Sequence, residues 1–374
     1  MEDFSLRRVL ALLRKEWIQL SRDRLTLRFI IAVPIMQLLL FGTAINTNPQ
    51  NLPTGFLSVN ASKYERTLLA ALRNTGYYDI RTLRTEAEAE SALARGEVLF
   101  VVELPPDFDR AVDRGDSPSV LIDADATDPT AVGNATAALA SLSTALERDL
   151  PPNLRTEAQT PPFQFVIHAR YNPEQLTVLN TVPGLICVVL MMSTLFMTTL
   201  SITKERERGT MENLLAMPVR PLEVMLAKIV PYIFIGYIQV LLILAASTVF
   251  FHLPIQGSVP LLLLAIGLFM ASNLALGITF STLSENQIQA VQFAQFMLLP
   301  SFLLSGFMFP FKGMPAWAQF VGEILPTTHA MRIVRGILLK GNGANEILPD
   351  LWPIALFALV TIVIAVWFYR ETLD

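Results

Sequence analysis

The sequence predicts an α-helical integral membrane protein with six transmembrane helices and an inserted α/β (α+β) extracytoplasmic domain. Three observations predict it. Only 16% of the 374 residues are charged and 52% are apolar, whereas a soluble domain carries roughly 25% charged residues. The apolar residues gather into runs of about twenty, the length a helix needs to cross the hydrocarbon core. One long polar interval follows the first run, and within it strand-like and helix-like segments alternate.

The chain opens with a basic amphipathic segment, residues 1–28. Leu6, Val9, Leu10, Leu13, Trp17 and Leu20 share one helical face; Arg8, Lys15, Gln19 and Arg22 share the other. Such a helix, with a tryptophan, lies in a membrane interface. The first span is expected at 29–45. It contains Pro34 and Gln37 and is followed by Asn46-Thr47-Asn48-Pro49 rather than by small cleavage-site residues, so it reads as an uncleaved anchor. The others are expected at 179–202, 231–251, 259–283, 288–309 and 352–369, within a membrane domain of 179–374. Arg7, Arg8, Arg14, Lys15, Arg22, Arg24 and Arg28 precede the first span, and Lys204, Arg206, Arg208, Arg220 and Lys228 lie between the second and third. Cationic flanks stay on the cytoplasmic side, which puts both termini inside and residues 46–178 outside. Lys312, Arg332, Arg335 and Lys340 then fall on the outer side, against the bias. A segment that re-enters the membrane or packs on the protein would explain them.

In the external interval, strands are expected at 55–59, 98–104, 120–123 and 163–170. Helices are expected at 62–74, 85–94, 106–114 and 128–147. Ser62 with Glu65, and Thr85 with Glu88, have the spacing of capping boxes, and Asp128-Pro129 has the order of an N-cap and first helical residue. The acidic pairs Asp107/Asp109 and Asp123/Asp125 read as solvated surface. The one cysteine, Cys187, reads as a small buried hydrophobe. His168, His252 and His329 are too scattered for a metal site.

Catalytic motifs are missing. None of the eighteen glycines is followed by lysine, so the sequence has no P-loop. It has no G-x-S-x-G elbow and no H-E-x-x-H. Three other segments are informative. Lys204-Glu205-Arg206-Glu207-Arg208-Gly209-Thr210-Met211-Glu212-Asn213-Leu214-Leu215-Ala216-Met217-Pro218 reads as a charged helix extension, a break, and a short amphipathic helix that stops before Pro218. Such a helix suits a groove on a partner protein. At the start of the fifth span Gln289, Gln292 and Gln295 share one face. Amides in hydrocarbon face a wet path or hold helices together. Finally Leu299-Pro300-Ser301-Phe302-Leu303-Leu304-Ser305-Gly306-Phe307-Met308-Phe309-Pro310, followed by Met314-Pro315 and Leu325-Pro326-Thr327-Thr328-His329, breaks the helix. That predicts a partly re-entrant structure whose freed backbone groups must be covered.

E-R-E-x-G-T-M-E-x-L-L-x-x-P over 205–218 and L-P-x-x-x-L-S-G-x-x-F-P over 299–310 resemble the permease subunit of ABC-2 type transporters, in the drug-export branch with a large external domain. The resemblance covers the whole layout. It implies a dimer, of identical or paired permeases, coupled to a separate cytoplasmic ABC ATPase that binds the ATP; no cofactor is expected in this chain. It implies that Glu205, Glu207, Gly209, Thr210, Glu212, Leu215 and Pro218 form the ATPase-coupling loop. Thr194, Thr198, Gln292 and Gln295 would line the translocation path, and Ser305, Gly306 and Pro310 would belong to an outer gate. It further implies residence in the inner (plasma) membrane among its lipids, with a periplasmic adaptor as a further partner and no nucleic acid. Rival readings are a polysaccharide or lipid permease, a sensor using the external domain, and a membrane enzyme; the last lacks any recognisable site.

Overall fold

The computed structural model describes residues 50–57, 62–127, 129–139, 142, 163–174, 176–207 and 221–371. The expected interfacial helix of 1–28, the first span of 29–45 and the Asp128 cap lie outside the described residues.

The polar interval folds as a five-stranded sheet with helices between its strands. β1 (Leu52–Leu57), α1 (Lys63–Asn74), β2 (Tyr78–Leu83), α2 (Glu86–Ala94), β3 (Phe100–Glu103), α3 (Phe108–Arg114), β4 (Ser119–Asp125), α4 (Pro129–Leu139) and β5 (Gln164–Arg170) follow in order. The sheet order is β2-β1-β3-β4-β5. β1 pairs in parallel with β2 and β3, and β4 with β5, while β3 and β4 run antiparallel. Phe56, Phe100, Val102, Val120, Ile122 and Phe163 are buried between sheet and helices. The edge strand β2 is absent from the sequence expectation. Tyr78 and Ile80 turn toward the core while Asp79 and Arg81 are exposed, but the alternation lasts only four residues before the exposed Thr82, the short limit of a strand pattern. β1 begins three residues before the expected Gly55.

Local chemistry sets the helix starts. Ser62 Oγ accepts from the Glu65 backbone N–H at 3.2 Å, and Glu65 Oε2 accepts from the Ser62 N–H at 3.3 Å. This reciprocal pair satisfies two donors that a helix N-terminus leaves open. Thr85 caps α2 through the Glu88 N–H, but Glu88 itself accepts from the Arg84 N–H.

The apolar remainder forms a helical bundle: α5 (Thr177–Glu207), α6 (Pro221–Phe251), α7 (Val259–Leu283), α8 (Gln287–Leu304), α9 (Ala316–Ile324), α10 (Pro326–Arg335) and α11 (Ala344–Glu371). Four segments among the described residues are long and apolar enough to cross a membrane: Val178–Leu200, Pro231–Phe251, Val259–Leu283 and Ala344–Ala365. α8 is shorter and carries glutamines, but at 1.5 Å per residue its 18 residues still extend about 27 Å. It ends at Leu304, five residues before the expected Phe309, because Ser305 caps it and Gly306 turns into the left-handed region at φ 82°. Glycine takes that conformation without a steric penalty.

α7 is central and packs against α5 and α11. Ile186, Leu190 and Leu195 of α5 meet Leu262, Ile266, Phe269 and Met270 of α7 in one core. Close approach depends on Gly277, where a Cβ would stand 2.9 Å from Thr198 Cβ and 3.0 Å from the Leu195 carbonyl oxygen. The outer faces are the reverse of a soluble surface. Leu242, Val249 and Phe250 of α6 and Trp352, Leu359, Val363 and Trp367 of α11 are exposed. Apolar faces this extensive are at home only against lipid or another protein, so the bundle is that of an integral membrane protein.

Candidate functional site

At the charged end of the bundle, α5 runs on past its apolar stretch to Glu207. The Glu207 carboxylate accepts from the Gln287 backbone N–H at 2.7 Å and from the Gln287 side-chain amide. Asn286 caps α8 by accepting from the Gln289 N–H at 2.9 Å, and Gln289 Oε1 accepts from the Glu285 N–H at 3.0 Å. Thr203 and Ser281 join α5 to α7 through their hydroxyls at 2.7 Å. The segment leading out of α5 is thereby tied to the first turn of α8. Of the expected coupling residues, Glu207 is placed in this tie. The Glu205 side chain and Gly209, Thr210, Glu212, Leu215 and Pro218 lie outside the described residues.

Thr194 and Thr198 are buried between α5 and α7, and their hydroxyls donate to the carbonyls of Leu190 and Thr194, each at 2.5 Å. Gln295 is exposed, and Gln292 is half-buried with its Oε1 buried and unpartnered. Gln289, on the same stripe, is engaged in the helix start. The four expected path residues thus fall on two separate helices, α5 and α8.

At the opposite end, the break after α8 is densely held. Phe307 lies against Gly184 of α5 and stacks edge-on with Phe302 at 5.5 Å. Ser305 Oγ donates to the Phe302 carbonyl at 3.3 Å, and Pro310 is buried. The chain continues through a 3-10 turn (Phe311–Gly313), α9 and α10, then a π-helical turn (Gly336–Lys340). The Arg335 guanidinium donates to the Gly306 carbonyl at 2.9 Å and to Asn180 Oδ1 at the start of α5. These bonds satisfy part of the backbone that the break frees.

Of the four cations that the expected topology puts on the disfavoured side, Arg335, Lys340 and Arg332 are held by packing. Lys340 reaches the α/β domain, where its ammonium meets Asp125 Oδ2 at 2.5 Å, donates to the Leu93 carbonyl at 3.0 Å and lies 5.2 Å from the Tyr171 ring centroid. Asn342 donates to the Ala94 carbonyl at 3.1 Å. Arg332 pairs with Glu323 at 2.5 Å and Asp350 at 3.2 Å, over the Phe311 ring. Burial by itself would lower the Arg332 guanidinium, but its bonds to Glu323 and the charges of Asp350 and Glu323 outweigh it and hold it above its ordinary value. His329 is buried, with Nδ1 2.7 Å from Asp350 Oδ1 and Nε2 2.9 Å from the Glu323 carbonyl. Burial, then the charge of Asp125, pushes the Tyr171 phenol up to about 12.

This corrects the reading of Asp123 and Asp125 as solvated surface. Both are buried. Asp123 meets Arg170 at 2.7 Å and His168 at 2.8 Å, and Asp125 meets Lys340. Carboxylates two apart on a strand share one face, and here that face is covered by β5 and by the π-helical turn. The sequence signal for this contact is the group of cations at 312–340, which the expected topology puts on the side that the charge bias disfavours.

An apolar multi-helix bundle joined to an α/β domain defines an integral membrane protein with a polar domain. The family model for ABC-2 family transporter proteins matches residues 24–367, and the chain belongs to that family. It is 27% identical over 344 residues to the "Probable multidrug ABC transporter permease YbhS" of Escherichia coli K12, covering 90% of each chain. It is 24% identical over 355 residues to the "Probable multidrug ABC transporter permease YbhR" of the same strain, covering 95% of this chain and 96% of that one. It also matches "ABC transporter G family member 20" of Dictyostelium discoideum, 24% identical over 347 residues and 46% of the relative's length.

Proposed function

We propose that the chain is the membrane-spanning permease subunit of an ATP-driven exporter, working as a dimer with a separate cytoplasmic ABC ATPase and moving a drug-like or amphiphilic substrate outward. The observation that carries this reading is the match to permeases across both bundle and domain, in a sequence with no Gly-Lys of its own. ATP is then bound by the partner. The loop 204–218 docks in the ATPase groove through Glu205, Glu207, Gly209, Thr210, Glu212, Leu215 and Pro218. Closure of the ATPase pair moves that loop, and the Glu207–Gln287 tie passes the motion to α8. The helix carrying Gln292 and Gln295 then turns, and a cavity between two copies switches its access. Thr194 and Thr198 belong to the α5 wall of that cavity, and the break at Ser305, Gly306 and Pro310 is its outer gate.

In this arrangement the chain has six spans, with 29–45 as the first. The amphipathic segment 1–28 lies in the interface, both termini are cytoplasmic, and the α/β domain stands outside the inner membrane. There it is placed to meet a periplasmic adaptor.

The test is a pull-down of the detergent-solubilised protein from its own cells, with Glu212→Arg in parallel. Recovery of a P-loop ATPase with the wild type and its loss with the variant is the expected result. Failure to recover one in several mild detergents would overturn the assignment and favour a receptor role for the external domain.

A further inference from the structure

Between the α/β domain and the helix break lies a cleft of about 110 Å³. Lys312, Arg332, Arg335 and Lys340 line it, together with Asp125, Glu346 and Asp350. Two of these cations are neutralised, Lys340 by Asp125 and Arg332 by Glu323 and Asp350. Arg95, on the wall from α2, pairs with Glu97 at 3.1 Å. Lys312 and Arg335 have no carboxylate within ion-pair distance among the described residues.

Arg335 is the more unusual of the two. Its terminal nitrogen bonds two neutral oxygens, and its Nε is buried with no acceptor. A guanidinium presents five N–H donors in a fork matched to an oxyanion. Leaving one buried and unanswered, on a cation without a counter-charge, is costly. Arg335 lines the cleft, so a ligand oxygen there would supply the counter-charge that the guanidinium lacks. Lys312 faces the same space with a compact charge suited to phosphate. Burial, and then the neighbouring Arg332 charge, lowers its ammonium below the ordinary value, and an anion between the two would reverse that.

We propose that this cleft is an anion site, and that Arg335 and Lys312 bind a phosphate group there, supplied by a lipid headgroup or by a soluble phosphate. The occupant bridges the gate and the domain. Arg335 already holds the Gly306 carbonyl and Asn180, and the cleft's far wall belongs to α2 and β4. The site is independent of the ATPase assignment and stands or falls separately.

The experiment uses the purified full-length chain. In detergent, inorganic phosphate is titrated while thermal unfolding is followed. In nanodiscs of phosphatidylglycerol or phosphatidylcholine, lipid retained after delipidation is weighed by native mass spectrometry. Lys312→Gln, Arg335→Gln and the double variant are compared with wild type, and Arg114→Gln, an exposed domain cation paired with Asp116, is the control. The expected result is a saturable response to phosphate, selective retention of phosphatidylglycerol, or both. Each single variant weakens it about tenfold, the double variant abolishes it, and the control leaves it unchanged. A phosphate response alone identifies a soluble ligand; lipid retention alone identifies a headgroup. No response in wild type, or an equal response in the double variant, overturns the proposal. If Arg335→Gln does not fold, Lys312→Gln decides alone, because Lys312 has no ion-pair partner among the described residues that its loss would leave uncompensated, and a wild-type response there sinks the idea.

Discussion

Replacing Lys340 by methionine tests the joint between the bundle and the α/β domain. The Lys340 and Asp125 side chains are 7% and 3% exposed and 2.5 Å apart. Methionine matches the length of the lysine stem but removes the ammonium, so the Asp125 carboxylate stays buried without its counter-ion. Breaking such a pair from one side costs about 3–5 kcal/mol, because the remaining charge is uncompensated. Asp125 Oδ1 keeps two donors, the Thr127 N–H at 3.2 Å and the Thr127 hydroxyl at 2.7 Å, which puts the expected loss at the lower end, about 3 kcal/mol. Removing both charges, in Lys340→Met with Asp125→Leu, recovers most of that loss because no unpaired charge is left. The double-mutant cycle therefore returns a coupling of about 2–3 kcal/mol. Denaturant unfolding in mixed micelles, read by fluorescence, gives each corner of the cycle. The exposed pair Arg114–Asp116, with side chains 61% and 54% exposed, is the comparison and contributes at most about 1 kcal/mol. If Lys340→Met loses no more than Arg114→Met, or if the two single losses simply add, the pair does not hold domain to bundle and the reasoning fails.

Three further outcomes are expected. Gly277→Ala forces a methyl against Thr198 and the Leu195 carbonyl and separates α5 from α7; the expected loss is about 1–3 kcal/mol, measured as a lower melting temperature in detergent, and an unchanged melt refutes the close packing. Ser62→Ala removes the α1 cap and costs about 1 kcal/mol, measurable as faster amide exchange over residues 62–66 than in wild type. The lowered Lys312 ammonium loses its proton at a pH where ordinary lysines hold theirs, so the folded state binds fewer protons than the unfolded one between the two values, and this group's contribution to stability rises with pH across that window. Acylation of Lys312 by an amine-directed reagent should therefore reach half-maximal rate at lower pH than acylation of a lysine in an unstructured model peptide; coincident profiles would contradict the burial argument.

What the sequence determined by itself is whatever depends on local period, length and caps. Runs of about twenty apolar residues fall inside α6, α7 and α11, because an apolar segment in hydrocarbon satisfies its backbone as a helix; the helices themselves start earlier than the expected 231 and 352 in two cases, α6 at Pro221 and α11 at Ala344. Ser62 and Thr85 mark their helix starts, since the caps act within one turn. Gly306 and Pro310 announce the break after α8, whereas Pro300, also expected to interrupt the span, lies inside the helix, which runs on through it to Leu304. The motifs of 205–218 and 299–310 point to the ABC-2 family, as the match over 24–367 bears out. What only the tertiary structure decided is which distant groups meet. Asp125 and Lys340 are 215 residues apart, Arg335 and Asn180 are 155 apart, and no periodicity links them. Burial converts Asp123 and Asp125 from apparent surface carboxylates into paired charges, because desolvation tolerates a charge only beside its partner. The same packing leaves Arg335 and Lys312 without one, and so shapes the cleft between the domain and the helix break.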